Sequence, residues 1–260
     1  MNSITYDEQV KATHAIIEAT LLMLECGAES VLIEQTSQRL GKALHIESVE
    51  LALLSSAVAL TTFTNNQSQS VSLIRRAHDK PINMSVVCDI QRMIRNVEQN
   101  KLSVDLVIET IKDIQPKQYN RWLVVFMVGL SCGCFSRLHG GDPSAFIATF
   151  FAAGLGMFVR QELSRRKFSA FLTFCLTPFI VTLIASISQQ IWPLSSTPDI
   201  ILVSAVLFLV PGFPFVNSFL DAIEGYMVMA WGRWLHASLL VVATAIGIIM
   251  AMNTLNLNTW

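Results

Sequence analysis

Val210-Pro211-Gly212-Phe213-Pro214-Phe215-Val216-Asn217-Ser218 lies inside an apolar run from about Ile200 to Ile223. A run of that length can cross a bilayer as a helix, which takes roughly 20 mostly apolar residues. Pro211 and Pro214 interrupt it, each removing a backbone donor and crowding the carbonyl one turn earlier. In hydrocarbon the freed carbonyls must find partners in protein or line a watery cavity. The expected result is a broken helix, with one half ending near Val210. The next half starts near Pro214, since proline suits the first helical position. A helix N-terminus placed there offers unbonded amides and a positive dipole end to an anion. Gly212 and Phe213 sit where those amides arise, and Asn217, Ser218 and Asp221 follow on one side of the second half. Ionisable groups inside a span are functional candidates, and broken helices build the substrate sites of many secondary transporters. Two plainer readings stand beside this one. The prolines can serve packing alone, and Asp221 can pair with Arg233 across the short 224–232 connection.

Other groupings carry less chemistry. Arg75, Arg76, His78 and Asp79 form a cluster that can hold a carboxylate or simply face solvent as a charged turn. Gly27-Ala28-Glu29-Ser30 lacks the strand-turn-helix surroundings of a nucleophile elbow, and spacing assigns no serine, histidine and acid to a triad. The expectation is therefore that the chain is not an enzyme. His139-Gly140-Gly141-Asp142 contains two possible metal ligands but reads as the tight turn of an outer hairpin. No metal site and no cofactor are expected. No Gly-x-x-x-x-Gly-Lys-Ser/Thr loop is present, so the chain itself is not expected to use ATP.

The elements that must position these residues follow from composition. The chain is 52% hydrophobic and 14% charged, with mean hydropathy +0.51, against a charged share of about 25% in soluble domains. Polar sequence fills the region before Pro116, and long apolar runs follow Arg121. This predicts a membrane protein: a small cytosolic α+β domain over 1–118 and a five-helix transmembrane domain over 119–260. A net charge of −1 gives no reason to expect nucleic acid. Five cysteines show neither metal nor secreted-disulfide spacing. In the first region helices are expected over about Asp7–Glu25 and, capped by Ser30, Val31–Leu44. Three strands follow, around Val49–Leu53, Val58–Thr62 and Val71–Leu73, with a turn at Asn65-Asn66. Two helices, about Met84–Gln99 and from Ser103 to Gln115, complete it.

Spans are expected at about 122–138, 143–161, 168–192, 200–223 and 234–255, the fourth broken. Lys112, Lys117, Arg121, Arg160, Arg165, Arg166, Lys167 and Arg233 collect on one side of these spans, and Arg137 alone on the other. That asymmetry predicts a cytosolic N-terminus and an outer C-terminus. Trp122, Trp192, Trp231, Trp234 and Trp260 sit near span ends as interfacial anchors. Gly129 and Gly133 make a Gly-x-x-x-Gly packing face.

Several motifs together carry a resemblance: Gly27-Ala28-Glu29-Ser30, Tyr119-Asn120-Arg121-Trp122, Val128-Gly129-Leu130 and Gly140-Gly141. The most specific is Leu209-Val210-Pro211-Gly212-Phe213-Pro214 with Asn217, Ser218 and Asp221. Over nearly its whole length the chain resembles the YjjP-type small subunit of the threonine/serine exporter (ThrE) family. The resemblance implies half of a two-component exporter of the bacterial inner membrane, working with a YjjB-type membrane partner. It implies a small carboxylate as substrate, succinate first, with threonine or serine as the alternative. On that reading Arg137, Arg160 and Arg233 are candidates to attract the anion. A membrane-anchored scaffold or sensor is the alternative from another class, and the broken fourth span argues against it.

Overall fold

A computed structural model of the protein describes residues 5–64, 68–78, 80–100, 103–191 and 195–254. Asn65, Asn66, Asp79, Trp192 and Trp260 lie outside the described residues. The chain divides into two compact units. One comprises 1–118 together with Phe213–Trp234, and the other Tyr119–Gly212 with Leu235–Trp260.

The first unit contains α1 (Tyr6–Glu25), α2 (Ser30–Ala43), β1 (Ser48–Leu54), β2 (Ala57–Thr64), β3 (Gln69–Arg76), α3 (Met84–Asn100) and α4 (Val104–Asp113). The strands form an antiparallel sheet in the order β1-β2-β3, with Leu51 opposite Leu60 and Leu60 opposite Leu73. Alternation in the sequence puts Val49, Leu53, Val58, Leu60, Thr62 and Val71 on the buried face. α1 packs on the sheet and on α2, α3 and α4, with Ile16, Ile17, Ile33, Leu40, Ile90 and Ile94 in the core. A polar pin fixes this packing. Gln9, fully buried, donates to the Thr62 carbonyl (3.1 Å) and accepts from the Thr64 hydroxyl (2.8 Å). Buried amides need such partners, so the pair also sets the register of α1 on the sheet. Glu29, not Ser30, is the N-cap residue of α2, and neither side chain makes the capping bond.

The second unit is helical: α5 (Arg121–Leu138), α6 (Pro143–Arg165), α7 (Ala170–Ile191) and α8 (Pro198–Val206), then a 3₁₀ turn at Leu207–Leu209. α9 (Gly212–Ile223) and α10 (Met227–Thr254) complete the chain. Among the described residues, α5, α6, α7 and α10 are each long and apolar enough to cross a membrane. Pro198–Leu209 and α9 qualify together as a broken fifth candidate. Gly129 and Gly133 let α5 close onto α6; a Cβ at Gly129 would lie 2.7 Å from the Phe150 carbonyl oxygen. At Gly247 of α10 a Cβ would lie 2.1 Å from the Cys175 oxygen and 2.9 Å from the Pro178 ring. Pro178 sits inside α7, within the span expected at 168–192. The turn between α5 and α6 places Gly140 at φ +87. Asp142 caps α6 by accepting from Ala145 N (2.6 Å), and its carboxylate also takes bonds from Ser144, Ser195 and Ser196. The Ser144 hydroxyl, first among these donors, holds that carboxyl well below the usual range.

Candidate functional site at the helix break

Proline dictates the break. Residues before proline avoid helical backbone, and Val210 is extended at φ −65, ψ 121. Its amide closes the 3₁₀ turn onto Leu207 O (3.1 Å), and Gly212 N bonds back to Val210 O (2.8 Å). The second half begins at Gly212, two residues before the position expected for Pro214. Pro211 therefore lies in the break, and Pro214 lies within the first turn of α9, where it takes no intrahelical donor away.

Asn217, Ser218 and Asp221 share the buried face of α9, at 4%, 3% and 1% exposure. The opposite face, Val216, Phe219 and Ile223, is exposed. That polarity is inverted relative to a helix on a water-soluble core. Each buried polar side chain is bonded. Ser218 Oγ donates to Phe215 O one turn back (2.7 Å). Asn217 Nδ2 donates to Gly27 O (3.0 Å). Asp221 Oδ1 accepts from Ser30 N (3.1 Å), while Oδ2 accepts from Arg233 Nη1 (2.8 Å). Arg233 Nη2 donates to Ala28 O (2.6 Å).

These bonds close around the loop between α1 and α2. Gly27 holds φ +90, a region glycine enters without strain. A Cβ there would also meet Ile82 at 3.2 Å and Phe213 at 3.3 Å. Asp221 takes over the capping role left open at α2: a carboxylate from 191 residues away bonds the first helical amide and meets the positive dipole end. Beside it, the Tyr226 hydroxyl bonds the Glu34 carboxylate. Burial, with Glu34 adding to it, raises the Tyr226 phenol to about 12. Periodicity within one stretch could not reveal these partners, because the two sides are far apart in sequence. The Gly27–Ser30 motif was visible, but not the groups that hold it.

The three arginines separate by environment. Arg137 Nη1 donates to Gly141 O (2.5 Å) in the α5–α6 turn. Arg233 is ion-paired to Asp221. Arg160, on α6, donates to Phe208 O (3.4 Å), and its guanidinium carbon lies 4.8 Å from the Phe174 ring centre. Within the other cluster, His78 N and Lys80 both bond Glu25, while Arg75 and Arg76 are exposed. Among the described residues no three His, Cys, Asp or Glu side chains converge as metal ligands.

Residues 14–255 match the family described as “Putative threonine/serine exporter” (ThrE). The chain is 39% identical over 254 residues to the Escherichia coli protein named “Probable succinate transporter subunit YjjP”, covering 98% of both chains. A Klebsiella aerogenes protein of the same name is 40% identical over 253 residues, covering 97% of both. A Mycobacterium tuberculosis protein named “Probable threonine/serine exporter” is 20% identical over 247 residues, 92% of this chain and 46% of that one. No solved structure matches the chain.

Proposed function

Since the chain belongs to the threonine/serine exporter (ThrE) family and is of the YjjP type, we propose that it is one subunit of a two-component secondary exporter of small carboxylates. Succinate is the leading substrate, and a YjjB-type membrane protein is the partner. The observation that carries this reading is identity near 40% over nearly the full length of relatives named as succinate transporter subunits. Threonine or serine export is the second reading, supported by a relative at 20% identity. The word “subunit” in the closer relatives' names supports a partner.

The structural features agree with transport chemistry. A scaffold needs no interruption in a span, whereas a transporter uses one to expose backbone groups to its substrate. On this reading the substrate carboxylate approaches the break at Pro211 and Pro214, where the Phe213 amide opens α9, the Gly212 amide being taken by Val210 O. Asn217, Ser218 and Asp221 line the same half-helix. Residues 1–118 lie in the cytosol, 119–260 carry five spans of a bacterial inner membrane, and the C-terminus is outside. The lysine and arginine asymmetry supports this orientation.

The test is efflux of labelled succinate and labelled threonine from cells carrying this chain alone, the partner alone, both, or neither. Succinate efflux that requires both proteins is the expected result. Full efflux with this chain alone would remove the two-component reading, and threonine efflux without succinate efflux would replace the substrate.

A further inference from the structure

Arg160 is a half-buried cation in an apolar helix, and among the described residues no carboxylate lies within ion-pair distance of it. A guanidinium carries five donors. Here one of them reaches Phe208 O, at the long distance of 3.4 Å, and the Phe174 face supplies cation–π contact. Charges away from water are normally paired. Arg160 departs from that rule, and it does so beside the end of the helix half that precedes the break.

A second observation comes from the facing helix. The register of α6 against α7 is fixed at Gly156, where a Cβ would lie 2.2 Å from Val181. One turn along α6 is Arg160, and one turn back along α7 is Thr177, on the same stripe as Phe174, whose ring Arg160 covers. Thr177 is fully buried and its hydroxyl has no partner. Helical hydroxyls ordinarily bond the carbonyl four residues back. Thr13, Thr20, Ser37, Thr173 and Thr244 all do so in this protein, at 2.6 to 3.1 Å. Thr177 does not, nor do the buried Thr149 of α6 and Ser186 of α7. Of the three, Thr177 is the one a single turn from Phe174, the ring that Arg160 covers.

We propose that Arg160 and Thr177 form a carboxylate-binding subsite between α6 and α7, with Arg160 supplying the charge and Thr177 a hydroxyl donor. This rests on the reading of the protein as an exporter of small carboxylates. The same reasoning distinguishes the three arginines: Arg233 already has Asp221, Arg137 serves a turn, and Arg160 retains its fork for an anion. Carboxylate and guanidinium match as two parallel hydrogen bonds, which lysine cannot reproduce.

The experiment uses liposomes holding this chain with its partner and measures KM and maximal rate for labelled succinate. Arg160→Gln should raise KM about tenfold or more, the loss expected of charge-assisted bonds. Arg160→Lys should fall between Gln and the parent, and Thr177→Val should raise KM several-fold at unchanged protein yield. In a cysteine-free parent, modification of Thr177→Cys by a thiol reagent should slow when succinate is added. If Arg160 only caps Phe208 O, yield and thermal stability fall while the surviving protein keeps the parent KM, and that result overturns the proposal. Unchanged KM at full yield overturns it equally. A parent complex that moves no succinate overturns the exporter reading itself, and this subsite with it.

Discussion

At the scale of single residues, the most fully bonded arrangement at the site is Asp221 between Ser30 N and Arg233. Asp221 is 1% exposed, and both of its oxygens are bonded. Removing one member of a buried pair leaves an uncompensated charge and costs about 3–5 kcal/mol, whereas removing both costs less. Asp221→Ala and Arg233→Ala should therefore each lower the melting temperature and yield strongly, with the double variant less damaged than their sum. Additive losses in a double-mutant cycle would mean the pair does not couple. Asp221→Asn separates roles further: lost transport at normal yield assigns Asp221 to coupling or gating, and lost yield assigns it to the fold. The partner residues explain what was legible here. Pairing of Asp221 with Arg233, 12 residues apart, was open to sequence reasoning as one of two readings. Bonds from Asp221 to Ser30 and from Asn217 to Gly27 cross some 190 residues, and no local period encodes them.

At the scale of elements, periods and proline positions carried much. Alternating Val49, Leu53, Val58 and Leu60 marked the sheet, and long apolar runs marked the candidate spans, because each signal is local. The break was legible for the same reason, since the pre-proline restriction acts on Val210 alone. Pro178 shows the limit. A proline inside a continuous helix depends on what fills the gap, here the close approach of Gly247 to Cys175 O and Pro178. The break also makes a prediction. Pro211→Ala with Pro214→Ala restores two backbone donors without adding charge or much volume. Neither proline is interior to a helix, since Pro211 lies in the break and Pro214 in the first turn of α9. The substitution instead frees Val210 from the pre-proline restriction and permits a continuous helix, so succinate efflux should fall. A double variant as active as the parent at equal yield would reduce the break to a packing feature.

For the whole molecule, composition and charge asymmetry bear on the membrane more than on any site. A reporter active only outside the cytosol should work when fused after Trp260 and fail when fused after Pro116; the reverse pattern would overturn the orientation. Division of the chain into units was less legible, because Phe213–Trp234 packs within the same compact unit as 1–118. Apolar content marks that stretch as membrane-like, while the buried polar face of α9 is spent on Gly27–Ser30. Hydropathy reads the first property and is blind to the second. The central claim is tested most directly by purifying this chain with its partner into liposomes loaded with labelled succinate and recording its release. The account predicts release by the two-protein complex and none above empty liposomes by either protein alone. Release by this chain alone at the rate of the complex, or no release by the complex, would contradict it.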